Sequence, residues 1–205
     1  DGILRMENVT EEDFDDFWFD YLDFGRDYGA VKTILSEKDP VMRRAVEFGS
    51  GIRLLHQDPW ETVISFIISQ NSNIRRISRC IDSLCAEFGE PLGVCRGKIR
   101  FSFPDPCRLA ALEPEDLAVC RLGYRDKYVI ETARAVAADG GRSLAALREA
   151  DYEEALCSVR KFCGVGPKVA DCVLLFGLLK YESFPLDVWM KRIMSRLYGF
   201  ELKDT

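Results

Sequence analysis

A glycine-rich turn between two apolar segments constrains this chain more than any other feature of its sequence. The stretch Phe162–Gly177 is FCGVGPKVADCVLLFG, in which Gly164 and Gly166 precede a proline. Glycine adopts backbone angles that are costly for other residues, and proline is favoured at the first position of a helix. Residues 163–167 are therefore predicted to turn sharply between two helices.

The predicted turn suggests a binding site for a phosphate. The amides of Gly164, Gly166 and Val169 are expected to face outward beside the positive end of the second helix, where they can hold an anion without a charged side chain. An ordinary corner between two helices explains the two glycines equally well, so the residues alone leave both interpretations open.

Lys168 stands at the start of this second helix, where the helix dipole disfavours a cation. The dipole and partly apolar surroundings are expected to lower its pKa. A neutral lysine amine is a nucleophile that can form a Schiff base at a sugar carbon. The alternative is a lysine that is simply solvated.

A carboxylate follows nineteen residues later, in the stretch FPLDVW. Asp187 is predicted to cap the last helix, whose face of Trp189, Ile193 and Leu197 is expected to be buried. One helix and a return loop can bring Asp187 near Lys168, which would place a nucleophile beside a group that stabilises positive charge on a sugar. A cap with no further role is the alternative.

Composition narrows the function classes. The 205 residues, 47% of them hydrophobic, suffice for one large domain or two lobes. Eight scattered cysteines without a Cys-x-x-Cys pair indicate buried thiols of a reduced intracellular protein, not a zinc site, and His56 is the only histidine. No apolar run reaches membrane-spanning length, and no signal-peptide pattern opens the chain. The net charge of −6 argues against a nucleic-acid partner, unless phosphates are held by main-chain amides.

Hydrophobic periodicity predicts helices almost throughout, so the predicted fold class is all-α. The clearest helix start is Asp58-Pro59-Trp60-Glu61, which combines an N-cap, a first-turn proline and a capping-box glutamate. The predicted helices cover about 40–48, 59–69, 74–88, 106–112, 114–122, 124–138, 151–162, 168–179 and 188–198, and residues 99–103 are expected to be extended.

Taken together, Gly-Val-Gly-Pro-Lys-Val-Ala-Asp at 164–171 and Pro-Leu-Asp-Val at 185–188 resemble the helix-hairpin-helix DNA glycosylase superfamily. The details are most similar to the 8-oxoguanine DNA glycosylases with an associated lyase activity. Monofunctional alkyl-base relatives lack the lysine, and iron–sulfur relatives carry a cysteine cluster after the last helices, whereas no cysteine follows Cys172 here. The resemblance covers about residues 48–199.

The resemblance implies a fold with two helical lobes. Residues 57–180 would form a helical barrel lobe that contains the helix-hairpin-helix at about 151–179, and residues 1–56 with 181–205 would form the second lobe. Residues 1–36 would be the exit of an N-terminal β-rich domain that is largely absent from this chain. The C-terminal helix that in family members contacts the lesion base would lie beyond residue 205, and Trp189 stands where animal members have histidine.

The resemblance also assigns roles to single residues. Lys168 would attack C1′ of the sugar, Asp187 would assist cleavage of the glycosidic bond, and the flipped purine would stack against Cys172. Asn71 would fill the gap left by the extruded base. Three residues would contact the orphaned cytosine: Arg76, Tyr124 and Arg125.

Each of these roles has a plainer alternative. Cys172 is also explained as a small core residue, Asn71 as a loop residue that ends a helix, and the basic residues as a solvated face.

The implied activity is excision of 8-oxoguanine opposite cytosine through a lysine Schiff base, followed by β-elimination of the strand. The expected partner is double-stranded DNA that contains an oxidised purine, bound by a monomer in the bacterial cytosol. No cofactor or iron–sulfur cluster is expected, although the carbonyls of Arg160, Phe162 and Val165 match positions that hold a structural monovalent or calcium-like cation. A monofunctional glycosylase for another lesion and a non-enzymatic DNA-binding hairpin remain the alternatives.

Overall fold

The computed structural model describes residues 3–201, which form two compact units. One unit contains the chain up to Gln57 together with the segment from Arg192 onward, and the other runs from Asp58 to Lys191. The sequence-based division falls after residues 56 and 180, and the two lobes with their assigned roles stay a prediction. Within the described part of the chain, no helix has the length and apolar character needed to cross a membrane.

The first unit consists of short helices. Helix α1 (Glu11–Asp13) continues through a π-helical turn (Phe14–Trp18) into α2 (Phe19–Tyr21), and α3 (Tyr28–Lys38) and α4 (Pro40–Phe48) follow. The predicted start of α4 is confirmed, because the Asp39 carboxylate accepts a hydrogen bond from the Met42 amide at 2.7 Å and Pro40 takes the first helical position. Helix α3 was not predicted, since Gly29 and β-branched residues in its sequence weaken its helix propensity.

Asp23 is the buried polar centre of this first unit. Its Oδ2 accepts hydrogen bonds from Arg26 Nε at 2.8 Å and from the Tyr28 hydroxyl at 2.9 Å, and its Oδ1 lies 3.2 Å from His56 Nε2. The Arg53 guanidinium donates to the Asp23 carbonyl at 2.8 Å and stacks on the Tyr28 ring. These contacts join the segment around residues 23–28 to the segment around residues 53–56.

The second unit holds most of the helices. They are α5 (Pro59–Ser69), α6 (Ile74–Phe88), α7 (Pro106–Ala110), a 3₁₀ helix (Pro114–Cys120), α8 (Arg125–Ala137), α9 (Arg142–Ala146), α10 (Tyr152–Val159) and α11 (Pro167–Phe176). Helix α12 (Val188–Tyr198) begins in this unit and ends in the first. The all-α prediction is thus confirmed.

Helix α5 is the centre of the second unit's core and contacts α6, α8 and α11. Its Ile64 and Ile67 are fully buried, as are Leu84 of α6, Ile130 of α8 and Leu174 of α11. Burial of one such side chain stabilises the fold by about 1.5–3 kcal/mol. This packing holds the start of α11, with Lys168, against α5.

The predicted N-cap of α5 is confirmed, with one detail changed. The Asp58 carboxylate accepts a hydrogen bond from the Glu61 amide at 2.9 Å, and Pro59 is the first helical residue. Within residues 3–201 the Glu61 side chain makes no return bond to the Asp58 amide, so only half of the capping box forms.

A small antiparallel hairpin interrupts the helices. Strand β1 (Pro91–Cys95) pairs with β2 (Lys98–Phe101), with Val94 opposite Ile99. Arg96 and Gly97 have φ values of 51° and 73°, as a two-residue type I′ turn requires. The extended segment predicted at 99–103 is confirmed over most of β2. Its partner strand was not predicted, because β1 is exposed along its whole length and shows no apolar alternation.

The helix predicted at about 124–138 ends before the glycine pair at 140–141, since α8 ends at Ala137. Helix α9, which begins immediately after the pair, was not predicted. The left-handed Gly141 reverses the chain, and the Asp139 carboxylate accepts a hydrogen bond from the Ser143 amide.

The expected buried face of α12 is wrong, since Trp189, Ile193 and Leu197 are 67%, 41% and 52% exposed. Periodicity shows which residues share a helix face, but burial of that face requires a neighbouring element.

Candidate functional site

The turn between α10 and α11 has the predicted sharp geometry. Gly164 has a φ of 76°, which favours glycine, and the Val165 amide donates to the Phe162 carbonyl at 3.2 Å. A β-carbon on Gly164 would lie 2.4 Å from Cδ2 of Tyr128 on α8. The Thr132 hydroxyl, one turn further along α8, donates to the Cys163 carbonyl at 3.3 Å. Helix α8 therefore holds the turn in place from one side.

Gly166 does not need glycine's conformational freedom, which corrects the prediction. Its φ is −84° with extended ψ, and a β-carbon there would meet no atom within 4 Å. The space in front of Gly166 is open, and the residue is exposed. Glycine at this position therefore leaves room for an approaching group.

The amides predicted to bind a phosphate are available. No side chain caps α11, and within residues 3–201 the amides of Gly164, Gly166 and Val169 donate to no backbone acceptor. Gly166 is the most accessible of the three, Gly164 is half-buried, and Val169 is 4% exposed. Amides without a partner at a helix start are favourable ligands for an anion. Their role in binding DNA stays a prediction.

Lys168 is not simply solvated. Its side chain is half-buried, and its Nζ lies 5.1 Å from the ring centroid of Phe66 on α5. The Phe66 ring stacks in turn on Phe176, with 5.7 Å between ring centroids. The Lys168 ammonium group also lowers the pKa of the Cys172 thiol, one turn further along α11. The amine is thus placed against an aromatic ring and a thiol on the inner side of α11.

Asp187 caps α12, as predicted, because its Oδ1 accepts a hydrogen bond from the Met190 amide at 2.8 Å. The residue is half-buried, and its negative charge acts on the same Cys172 thiol as Lys168 does. In the described part of the chain no ion pair joins Lys168 to Asp187. Both charges nevertheless affect the pKa of the Cys172 thiol.

Cys172 lies one turn after Lys168 on α11 and is 3% exposed. Burial raises the pKa of its thiol, Lys168 lowers it, and the carboxylates of Asp171 and Asp187 raise it further. The thiol is therefore neutral near pH 7. Cys172 is buried but does not belong to the contiguous apolar core of this unit, which weakens its interpretation as a core residue.

Asn71 and Tyr124 lie together although 53 residues separate them in sequence. The Asn71 Nδ2 donates to the Tyr124 hydroxyl at 3.2 Å, and both side chains are exposed. Asn71 has a φ of 45°, a left-handed conformation that asparagine tolerates better than most residues. The structure thus brings together the residue predicted to fill the gap and one of those predicted to contact the orphaned cytosine.

Arg125 is buried, so its interpretation as part of a solvated basic face is wrong. It is 3% exposed, and its guanidinium donates to the carbonyls of Leu122, at 3.0 Å, and Gln70. The same guanidinium stacks on the Tyr124 ring at 4.5 Å. Arg125 joins the loop after α5 to the loop before α8 and positions Tyr124. Whether it also contacts a base stays a prediction.

Arg76 remains exposed and donates through Nη2 to the Arg121 carbonyl at 3.3 Å. It therefore borders the same two loops as Asn71, Tyr124 and Arg125.

The three carbonyls predicted to hold a cation differ in their hydrogen bonding, and the cation itself stays a prediction. The Phe162 carbonyl accepts one bond, from the Val165 amide, while those of Arg160 and Val165 accept no backbone bond within residues 3–201. No group of three or more histidine, cysteine or carboxylate side chains that could hold a metal occurs in the described part of the chain. A cation at the turn would thus depend on carbonyl oxygens, which suits a monovalent or calcium ion.

Sequence analysis missed three residues that shape this site. Phe66 lies under the Lys168 amine, Tyr128 contacts Gly164, and Arg121 supplies a carbonyl to Arg76. Nothing in the sequence distinguishes Phe66 from other apolar residues of α5. The spacing of Tyr124, Tyr128 and Thr132 at successive turns of α8 was a usable signal for Tyr128.

Comparisons with known proteins agree with this geometry. The family profile described as HhH-GPD superfamily base excision DNA repair protein matches residues 64–205, and the profile described as 8-oxoguanine DNA glycosylase, N-terminal domain, matches residues 4–63. The second match shows that a short N-terminal domain is present at residues 4–63, which corrects the interpretation of residues 1–36 as only its exit. Within the described residues, this stretch contains helices and no strand.

Individual relatives are named as enzymes that act on DNA bases and strands. The N-glycosylase/DNA lyase of Saccharomyces cerevisiae is 42% identical over 158 residues, which cover 72% of this chain and 42% of the yeast protein. A probable N-glycosylase/DNA lyase of Methanothermobacter thermautotrophicus is 32% identical over 227 residues, covering 96% of this chain and 69% of that protein. The chain thus spans less than half the length of the yeast relative.

A solved structure extends the similarity to the fold. The 8-oxoguanine glycosylase/lyase of Clostridium acetobutylicum, in complex with double-stranded DNA containing cytosine opposite 8-oxoguanine, superposes with a TM-score of 0.87. The two are 40% identical, and the match covers 93% of this chain and 65% of that one. From the family profile, the relatives and the shared fold, it follows that this chain belongs to the HhH-GPD superfamily of base excision DNA repair proteins.

Proposed function

We propose that the protein is a bifunctional DNA N-glycosylase and abasic-site lyase that excises 8-oxoguanine opposite cytosine. One feature carries the proposal: Lys168 and Asp187 shift the pKa of the same buried thiol, Cys172, in opposite directions, so both charges lie near it. Lys168 stands at the start of α11 and Asp187 caps α12, which brings a nucleophile and a carboxylate to the same part of the unit. The relatives named N-glycosylase/DNA lyase and 8-oxoguanine glycosylase/lyase support the same reaction class.

The bond changes assign a role to each of the two residues. Lys168, in its amine form, attacks C1′ of the flipped nucleotide, and the bond from C1′ to the base breaks with its electron pair leaving on the base. Asp187 stabilises the positive charge that develops on the sugar. The sugar ring then opens to a Schiff base on Lys168. Loss of a C2′ proton expels the 3′ phosphate, so that the strand is cut 3′ to the lesion.

In this proposal, main-chain amides and not charged side chains bind the phosphate of the damaged strand. The partnerless amides of Gly164 and Gly166 hold a phosphate of the damaged strand, which explains how a chain with a net charge of −6 binds DNA. The flipped purine stacks against the neutral Cys172 thiol. Asn71 occupies the gap that the purine leaves, and Tyr124, hydrogen-bonded to Asn71, contacts the orphaned cytosine. A cation held by the carbonyls of Arg160, Phe162 and Val165 would add positive charge beside that phosphate and takes no part in the bond changes.

A borohydride trapping assay tests the nucleophile. Incubated with a duplex containing 8-oxoguanine opposite cytosine, the protein is expected to form a covalent adduct with DNA. Lys168→Gln should abolish the adduct. Lys127→Gln, which removes the same charge from an exposed position on α8, should retain it. An adduct that survives Lys168→Gln means that the nucleophile is another residue.

A second substrate separates the two proposed roles. On DNA with a preformed abasic site no base has to leave, so Asp187→Asn should still be trapped there while its release of 8-oxoguanine becomes slower. Lys168→Gln should fail on both substrates. Base release by the unmodified protein without any adduct would indicate a monofunctional glycosylase, and binding without base release would indicate a non-enzymatic hairpin module.

A further inference from the structure

We propose that a cleft lined by Arg76, Arg79 and Arg121 binds a backbone phosphate of the DNA strand opposite the lesion. The proposal rests on the proposed function, since it identifies a second contact for the same substrate. It concerns a surface distinct from the turn at Gly164–Gly166, which is expected to hold the damaged strand.

The cleft lies between α6 and the 3₁₀ helix and has a volume of about 730 Å³. The buried thiols of Cys80 and Cys120 belong to its wall, and its charged rim consists of the three arginines and Asp82. Within residues 3–201 none of these three guanidinium groups forms an ion pair with a carboxylate, although acidic residues outnumber basic ones in the chain. Three arginines that form no ion pair, against a single carboxylate at the same rim among the described residues, leave the concave surface positively charged and suitable for an anion.

The backbone of Arg121 supports a specific role for this residue. Its φ of 54° is left-handed, a conformation that costs an ordinary side chain about 1–2 kcal/mol and that glycine would adopt freely. The Arg121 carbonyl accepts hydrogen bonds from Arg76 Nη2 at 3.3 Å and from the Cys80 thiol at 3.8 Å. The loop is thereby fixed with an exposed arginine at a position where stability alone would favour glycine.

The position of the cleft indicates which DNA strand supplies the phosphate. Arg76 lines the cleft and also borders Asn71, which is predicted to fill the gap, and Tyr124, which is predicted to contact the orphaned cytosine. Arg121 is followed three residues later by Tyr124. Because the orphaned base remains on the undamaged strand, the phosphate nearest to these residues belongs to that strand.

Equilibrium binding to a duplex with a tetrahydrofuran abasic analogue opposite cytosine tests the cleft without any chemistry. Arg79→Gln/Arg121→Gln is expected to weaken binding about tenfold at 0.1 M salt, and to make the salt dependence of log K shallower by about one. The control Arg108→Gln/Arg142→Gln removes the same charge from exposed positions of the same unit and should change binding less than twofold. Asp82→Asn, which removes the only carboxylate lining the cleft in the described chain, should strengthen binding.

Neutral methylphosphonates, placed singly on each strand, identify the phosphate. For the unmodified protein, one or two substitutions on the cytosine-containing strand should weaken binding, and the same substitutions should have no further effect on the double variant. Equal losses in both proteins would overturn the proposal, as would methylphosphonates whose effect disappears in the double variant only when they stand on the damaged strand. Arg121→Gly removes the guanidinium while relieving the left-handed strain, so a weaker complex with this variant cannot result from unfolding.

Different results would contradict the proposed reaction and the proposed phosphate site. Absence of a borohydride adduct with the unmodified protein contradicts the proposed reaction and leaves these binding measurements intact. A normal adduct together with unchanged binding by Arg79→Gln/Arg121→Gln contradicts the cleft alone.

Discussion

Replacement of Gly164 by alanine is the sharpest test of how the turn is built. Two separate costs arise from one methyl group. At a φ of 76° the backbone would hold an alanine in a left-handed conformation, which costs about 1–2 kcal/mol. The new β-carbon would also lie 2.4 Å from Cδ2 and 2.6 Å from Cγ of Tyr128, so the ring or the turn must move. Overpacking of this kind costs typically about 1–3 kcal/mol.

The expected loss for Gly164→Ala is therefore about 2–5 kcal/mol in the free energy of unfolding. For a chain of this size that corresponds to a decrease in Tm of roughly 4–20 °C. Gly166→Ala is the matched control, because its φ is −84° and a β-carbon there meets no atom within 4 Å. Its stability should change by less than about 1 kcal/mol, whereas its added methyl group, beside the amides proposed to hold a phosphate, should weaken DNA binding.

Thermal and urea unfolding of four variants measure these costs. Combined with Tyr128→Ala, Gly164→Ala should lose less than the sum of the two single losses, because the two contacts with the ring disappear. The backbone strain and the contact with the Tyr128 β-carbon at 3.0 Å remain. The reasoning is refuted if Gly164→Ala is no less stable than Gly166→Ala, or if the two substitutions at Gly164 and Tyr128 are additive.

Three further predictions concern buried polar groups. Asp23→Asn should destabilise the protein by about 3 kcal/mol in urea unfolding, because the Asp23 carboxylate pairs with Arg26 and His56 in a buried site. The control Asp20→Asn, at a side chain that is 73% exposed, should cost less than about 1 kcal/mol. Arg125→Leu leaves the carbonyls of Gln70 and Leu122 without their donor and should cost about 2–4 kcal/mol by thermal unfolding; a value near zero contradicts its structural role. Burial raises the pKa of Cys120 to about 12 from an ordinary 9.0. The neutral thiol's contribution to stability is therefore complete below pH 9 and is lost as the pH rises from 9 towards 12. Between about pH 8 and 10.5, the free energy of unfolding should fall less steeply for Cys120→Ala than for the unmodified protein.

Much of the helical architecture was predictable because its signals are local. Asp39-Pro40 and Asp58-Pro59 combine a side-chain cap with a residue that needs no amide hydrogen, and both begin helices as predicted. Helices without such signals were missed. Helix α3 starts from Asp27 but contains residues that weaken helix formation, and α9 is too short for periodicity to be seen.

The candidate site was predictable in its members but not in their surroundings. Turn chemistry pointed to Gly164 and Lys168, and the cap pointed to Asp187. Their relation through the Cys172 thiol depends on how α11 and the start of α12 pack, which no local pattern specifies. Arg125 shows the same limit, because an arginine in a polar stretch gives no sign that two carbonyls from separate loops will surround it.

The helix starts, the turn at Gly164 and the lysine and carboxylate nineteen residues apart can be read from the chain alone. Each of them follows from backbone preferences and hydrogen bonds within a few residues. Three other features depend on long-range packing: Tyr128 confines Gly164 and not Gly166, Phe66 lies under the Lys168 amine, and the apolar face of α12 is exposed. These outcomes depend on which surfaces pack against each other, and that is set by shape and burial summed over residues far apart in the chain.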